Sequence, residues 1–131
     1  MRACSLLIVL AACASPSGSG PEVIYPMDRK TADRIVYEAL RLELPANRIE
    51  RIEHRDPGFR CTFYFGAAPY IIEVYLFDAK GVKPDGTVVD GIRFDLDHAG
   101  LHPQGDEKAF RVAQTIRQQA RKTVEPLPAA K

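Results

Sequence analysis

The sequence has almost no excess charge of either sign. Its 131 residues include 18 lysines and arginines against 17 aspartates and glutamates, a formal net charge of +1. Removing residues 1–12 takes away Arg2 and no acid, so 17 basic and 17 acidic residues remain. Proteins whose main partner is nucleic acid carry a large positive excess, because the phosphate backbone selects for it. The composition therefore predicts no nucleic-acid partner.

Motifs of catalysis and cofactor binding are also missing. There is no CxxC pair, no G-x-S-x-G elbow and no glycine-rich phosphate loop. Paired carboxylates are present, but they are too common to indicate catalysis without geometry. After the N-terminus, no stretch approaches the roughly 20 apolar residues of a membrane-spanning helix. We therefore expect a protein that is not an enzyme and that holds no cofactor or metal.

The N-terminus carries the strongest signal. Arg2 supplies a positive charge, and the apolar run over 6–12 is too short to span a bilayer, which indicates a secretory signal peptide. The segment Leu10-Ala11-Ala12-Cys13 resembles the lipobox of bacterial lipoproteins, a leucine and two small residues before a cysteine. In that family the cysteine thiol is joined to diacylglycerol, and a peptidase cuts before it. The resemblance implies a signal peptide over 1–12 and lipidation of Cys13.

Such an anchor would be stable, because each buried methylene contributes about 0.8 kcal/mol and diacylglycerol supplies the two chains required. In many lipoproteins an Asp after the cysteine favours the inner membrane. Ala14 stands there, so the resemblance favours the periplasmic side of the outer membrane over the inner membrane. Ordinary secretion is the alternative, because residues 12–14 also fit an A-x-A cleavage site and would give a soluble product beginning at Ser15.

The remaining chain divides into tether, domain and tail. Residues 13–27 combine the lipidated cysteine with a linker rich in Ser, Gly and Pro over 14–21, which is typical of a flexible coil. Residues 28–124 have the pattern of a single domain. Residues 125–131 contain Pro126 and Pro128, which predicts a disordered tail.

Helical spacing occurs twice in the domain. Asp28 can cap a first helix, which Pro45 ends and whose apolar face comprises Ala32, Ile35, Val36, Ala39 and Leu40. A second helix starts at Asp106 and Glu107, and Phe110 widens its narrow apolar stripe, which comprises Ala109, Ala113, Ile116 and Ala120.

Strand patterns lie between the helices. Residues 59–65, 70–77 and 87–97 alternate or are rich in β-branched and aromatic side chains. Residues 78–81 and 83–86 indicate turns, and residues 49–54 fit either an edge strand or a helical turn. The predicted fold class is α+β, a small antiparallel sheet of three or four strands with two helices on one face, in the order α-β-β-β-α.

Cysteine usage leaves one thiol in the domain. Cys4 leaves with the signal peptide and Cys13 carries the lipid, so Cys61 has no cysteine to pair with. It lies among phenylalanines on an alternating strand, which predicts a buried, unreactive thiol. A catalytic role would need a nearby base, and His54 is the candidate nearest in sequence.

Ligand types of a zinc site occur at the end of the third predicted strand, where Asp95, Asp97, His98 and His102 follow one another. A glycine lies between the two histidines and a proline follows them, so helical spacing cannot place both rings on one face. We interpret the segment as a polar strand end, with a metal site as the alternative.

The second predicted helix is basic toward its C-terminal end, with Lys108, Arg111, Arg117, Arg121 and Lys122. Acids first and bases last suit the helix dipole, so a solvated face is expected. Contact with anionic lipid headgroups or lipopolysaccharide is the alternative, because the tether would hold the helix near such a surface.

The sheet face that points away from the predicted helices is unusually aromatic. Alternation places there Tyr64, Ile71, Tyr75, Phe77 and Val89, interleaved with Arg60, Glu73 and Arg93. A solvated face is usually more polar, and aromatic and arginine enrichment is typical of interface cores. This indicates a partner surface, unless the face assignment is reversed or the ambiguous segment 49–54 and the loops cover this side.

The sequence thus predicts a lipid-anchored, non-enzymatic module that binds another cell-envelope component through its open sheet face. Two other function classes remain. One is a periplasmic small-ligand binder or enzyme inhibitor, and the other is a small metal- or thiol-dependent enzyme that uses the His98 region or Cys61.

Overall fold

A computed structural model describes residues 22–131. The predicted signal peptide, Cys13 and the linker over 14–21 lie outside this range. The described chain contains β1 (Val23–Ile24), α1 (Arg29–Glu43), β2 (Ile49–Arg55), β3 (Gly58–Phe65), β4 (Ala68–Val82), β5 (Val88–Ala99), α2 (Pro103–Thr123) and β6 (Leu127–Pro128), with a 3-10 turn at Ala46–Arg48. The predicted α+β class is confirmed, and the structure adds a strand before the first helix and another after the second.

Four strands form an antiparallel sheet in the order β2-β3-β4-β5. Hairpins join neighbours, and Cys61 lies opposite Ile72 in β4 while Leu96 lies opposite Val74. The ambiguous segment 49–54 is a strand, because Ile52 lies opposite Cys61 and packs against the core.

The hydrophobic core joins both helices to the sheet. Asp28 caps α1, since its carboxylate accepts a hydrogen bond of 2.8 Å from the Thr31 backbone N–H. The core cluster takes Ala32, Ile35, Val36, Ala39 and Leu40 from α1, Ala109, Val112 and Ile116 from α2, and Phe59, Cys61, Phe63, Tyr70, Ile72, Val74, Leu76 and Ile92 from the strands. Alternation on β3 and β4 therefore predicted the buried side chains of those strands correctly.

The start of α2 differs from the sequence prediction. The helix begins at Pro103, three residues before Asp106, because the His102 ring caps it by accepting the Gln104 backbone N–H at 3.2 Å. Phe110 does not widen the apolar stripe, since Val112 occupies the core-facing position and Phe110 is 61% exposed.

The β4–β5 hairpin is longer than predicted. Residues 78–81 continue β4 instead of forming a turn, and the Lys80 ammonium contacts the Asp90 carboxylate across the strands at 2.6 Å. Gly81 serves close packing here, because a Cβ would lie 3.0 Å from Leu127 Cβ and 3.3 Å from Ile24 Cβ. The chain reverses at residues 83–87, where Gly86 has a φ of 91°.

The predicted tether and tail both enter the folded domain. Ile24 in β1 lies opposite Leu127 in β6, and these side chains are 0% and 9% exposed. Tyr25 exchanges two hydrogen bonds with Ile92 of β5, and the Ala130 N–H donates to the Lys80 carbonyl of β4. The prediction of a disordered tail over 125–131 and a free tether up to 27 was wrong. β1 and β6 form a two-stranded ribbon, called here the β1–β6 ribbon, which is hydrogen-bonded to the outer edge of β5 through Tyr25 and to the free edge of β4 through Ala130.

Candidate binding surfaces

The sheet face turned away from the core carries an aromatic stack. Phe77 in β4 lies opposite Arg93 in β5, and Tyr75 lies two residues away on the same face. The rings of Tyr75 and Phe77 stack with centroids 5.9 Å apart, and the Arg93 guanidinium carbon lies 4.7 Å from the Phe77 centroid. Burial raises the pKa of Tyr75, and the nearby Glu73 carboxylate adds to it. The three side chains form a half-buried cluster, called here the aromatic stack.

Two predicted surface residues lie at one end of this face. Tyr64 and Ile71 are separated from the aromatic stack by a charged row in which Arg60 lies opposite Glu73. The Tyr64 hydroxyl donates a 2.7 Å hydrogen bond to the Glu50 carboxylate, which raises the pKa of Tyr64.

Val89 lies at the opposite end, apart from the aromatic stack. Val89 is paired with Gly81, so these two residues lie on the same side of the sheet. That side is where Leu127 and Ile24 approach Gly81. The structure therefore brings together Tyr75, Phe77 and Arg93, and it places Val89 beside the ribbon.

Cys61 is buried, as predicted, with 0% of its surface exposed. Burial raises the pKa of its thiol to about 12, so the thiol stays protonated near neutral pH. His54 lies opposite Phe59 in the neighbouring strand, packs edge-on against that ring at 4.9 Å and contacts the Asp33 carboxylate at 3.5 Å. Cys61 and His54 therefore do not form the hydrogen-bonded thiol–imidazole pair of an activated nucleophile.

The His98 region forms a cluster that the sequence did not predict. The Tyr70 hydroxyl lies 2.7 Å from His98 Nδ1 and donates a hydrogen bond to the Asp106 carboxylate. Burial and this bond raise the pKa of Tyr70. The ring of His102 stacks instead on Phe65, at 4.4 Å between centroids. The cluster fixes the start of α2 to the sheet, and within residues 22–131 no group of three or more metal-ligating side chains is arranged to hold an ion.

The basic residues of α2 are mostly exposed. Arg111 is paired with Glu107 at 3.0 Å, while Arg117, Arg121 and Lys122 face solvent. Neither described helix is long and apolar enough to cross a membrane.

The structure also contains a groove between β5 and α2 that the sequence did not predict. It has a volume of about 410 Å³ and is lined by residues 94–98 of β5 and by α2 residues that include Asp106, Phe110 and Arg117. An exposed Phe in an otherwise polar helix face was the available signal.

Comparison with protein families, curated proteins and solved structures gives no match. Function must therefore be inferred from the chemistry of the chain's own surfaces. Two surfaces stand out, the aromatic stack on the sheet and the groove beside β5.

Proposed function

We propose that this chain is an exported lipoprotein of the bacterial cell envelope, a non-enzymatic module that captures another envelope protein through its open sheet face. The single observation that carries the binding role is the aromatic stack of Tyr75, Phe77 and Arg93 on the face opposite the core. The anchor rests on the lipobox-like segment that ends at Cys13, and the residue after it favours the periplasmic side of the outer membrane.

The helices support this assignment. The core cluster contains residues of both helices together with Phe63, Ile72 and other side chains of one sheet face. We infer that both helices cover this face, and that the other face is open between the ribbon and the Tyr64 end. Tyr and Arg are, with Trp, the residues enriched at the energetic centres of protein interfaces.

The composition around the stack also fits a protein partner. Arg60 and Glu73 lie beside it in a charged row, and Asp97 continues this row on β5. Stable interfaces combine an aromatic centre with a polar, solvent-accessible rim. A tyrosine can be hydrated when free and buried when bound, because its ring is apolar and its hydroxyl polar.

Tyr75→Ala tests the binding role, with Val74→Ala as the matched control on the opposite face. A photo-crosslinking residue at Thr62 in the native envelope identifies the partner, whose capture by each variant is then measured. Tyr75→Ala should weaken capture at least tenfold with a melting temperature close to wild type, because a central anchor contributes more than about 1–2 kcal/mol. Val74→Ala should lower the melting temperature, since Val74 is 1% exposed. Undiminished capture by Tyr75→Ala, or a melting temperature as low as that of Val74→Ala, would contradict the proposal.

Cys13→Ala tests the anchor. Metabolic labelling with a palmitate analogue should mark the wild type and leave the variant unlabelled. If the wild type is also unlabelled and its mature N-terminus is Ser15, the chain is an ordinary secreted protein. Equal labelling of both proteins would remove Cys13 as the site.

A further inference from the structure

β5 is the last strand of the four-stranded sheet, and its outer edge is already paired at one residue. The Tyr25 N–H donates to the Ile92 carbonyl at 2.9 Å, and the Ile92 N–H donates to the Tyr25 carbonyl at 2.8 Å. The backbone groups of Ile92 therefore point away from β4. The N–H and C=O groups of successive residues point alternately to the two edges of a strand, so those of Phe94, Leu96 and His98 point to the same outer edge as those of Ile92. Within residues 22–131 no strand pairs with the edge beyond Ile92.

The carboxylates of two aspartates accept hydrogen bonds from backbone amides of this edge. The Leu96 N–H donates to the Asp95 carboxylate at 3.0 Å, and the His98 N–H donates to the Asp97 carboxylate at 2.9 Å. These bonds satisfy the amides of the free protein and place two negative charges beside the edge. An incoming strand with acidic residues opposite them would be repelled, whereas lysines or arginines there would be attracted.

α2 forms the second wall of the groove. Asp106, Phe110, Ala113 and Arg117 recur at intervals of four, three and four residues, so they share one face of the helix. Phe110 is 61% exposed, and the small side chain of Ala113 leaves space beside it. The stretch of β5 over 94–98 can therefore pair with about five residues of an extended segment, roughly 17 Å of chain.

We propose that this groove binds an extended basic segment of a partner protein, which joins the sheet as a fifth strand beside β5. The backbone of the segment pairs with Leu96 and His98 and takes over the amides that the aspartates hold in the free protein. Its lysines or arginines then pair with the released Asp95 and Asp97, while its alternate apolar side chains contact Phe110 and Ala113. Such strand addition draws affinity from the backbone and specificity from alternate side chains.

A second copy of this chain is the less suitable occupant. Antiparallel pairing of β5 with β5 of another copy would bring Asp95 and Asp97 of both copies into one seam. Like charges directly opposite each other on neighbouring strands are destabilising. The charge of the edge therefore selects a basic strand.

Fluorescence polarisation with labelled ten-residue peptides and the full chain in detergent tests the proposal. A peptide that alternates Val and Lys should bind, because it places Val toward α2 and Lys toward the aspartates. A Val–Glu peptide of the same length should bind at least tenfold more weakly. N-methylation of alternate amides in the Val–Lys peptide should also weaken binding at least tenfold, since it removes the donors to β5.

Variants locate the site. Asp95→Asn with Asp97→Asn should weaken the Val–Lys peptide and strengthen the Val–Glu peptide, and Ala113→Arg should block both. Phe77→Ala should leave peptide affinity unchanged, because Phe77 lies opposite Arg93 and not opposite either aspartate; this variant separates the groove from the aromatic stack. Equal binding of the N-methylated peptide would mean attraction by charge alone and would overturn strand addition. Absence of Val–Lys binding, its loss in Phe77→Ala, or dimerisation through β5 in sedimentation would overturn it as well.

Discussion

Gly105→Ala is a substitution for which helix propensity and the tertiary structure predict opposite changes in the free energy of unfolding. Gly105 lies in the first turn of α2, and glycine in a helix costs about 1 kcal/mol relative to alanine. Helix propensity alone therefore predicts that the alanine variant is more stable. The tertiary structure predicts the reverse, because a Cβ at position 105 would collide with the ring of Tyr70.

The Tyr70 ring has little freedom to move aside. It is 0% exposed, it packs against Gly100 as well as Gly105, and its hydroxyl is bound to His98 and Asp106. Overpacking a well-packed core costs about 1–3 kcal/mol, and weakening one hydroxyl hydrogen bond costs about 0.5–1.5 kcal/mol. After the helix gain of about 1 kcal/mol, the variant should lose about 2 kcal/mol. For a domain of this size that lowers the melting temperature by roughly 10 °C.

Urea denaturation followed by circular dichroism measures the effect. Gln118→Ala, an exposed substitution on the same helix, is the control and should stay within about 0.5 kcal/mol of wild type. In a Tyr70→Leu background the cost of Gly105→Ala should largely disappear, because the ring that the methyl group meets is gone. If Gly105→Ala raises the free energy of unfolding by the amount expected from helix propensity, the reasoning about Tyr70 is refuted.

Three further predictions concern the core, the ribbon and the first helix. Cys61 should react with a maleimide only on unfolding. Because the pKa of its thiol is about 12 in the folded protein, above the usual 9.0, the stability that it contributes should be complete below pH 9 and should fall as the pH rises toward 12. Denaturation of wild type and Cys61→Ala at several pH values checks this, and fast labelling of the native protein near pH 7 would contradict it. Leu127→Ala should destabilise the domain by about 1–3 kcal/mol in thermal melts, whereas a truly disordered tail would show no change. Asp28→Ala should cost about 1 kcal/mol through loss of the α1 cap, and Asp28→Asn should restore most of it.

The sequence predicted well wherever the signal is local. Side chains of a strand alternate between faces with a period of two, so the run 59–65 predicted that Phe59, Cys61, Phe63 and Phe65 share one face. The first three are buried together, and Phe65 is partly buried against them. The α1 helix combines a capping Asp28 with apolar residues at helical spacing, and both features lie within one short segment.

The errors share a different origin, since they depend on residues that are distant in the chain. Residues 78–81 have turn composition, yet they continue β4 because Ile24 and Leu127 pack against Gly81. No pattern within residues 125–131 shows that Leu127 meets a strand more than a hundred positions earlier. The prolines that indicated a disordered tail are tolerated, since β6 is a short strand at an edge.

For this protein the sequence by itself predicted the α+β class and the buried set of the central strands, while the lipobox-like segment that ends at Cys13 stays a prediction. Each of these follows from neighbouring residues and their periodicity. The tertiary structure alone decided that the two ends of the domain form the β1–β6 ribbon and that Tyr75, Phe77 and Arg93 are in contact. It also decided that Phe110 lines the groove beside β5. These features arise because folding brings together surfaces from separate elements, and no local pattern records which surfaces will face each other.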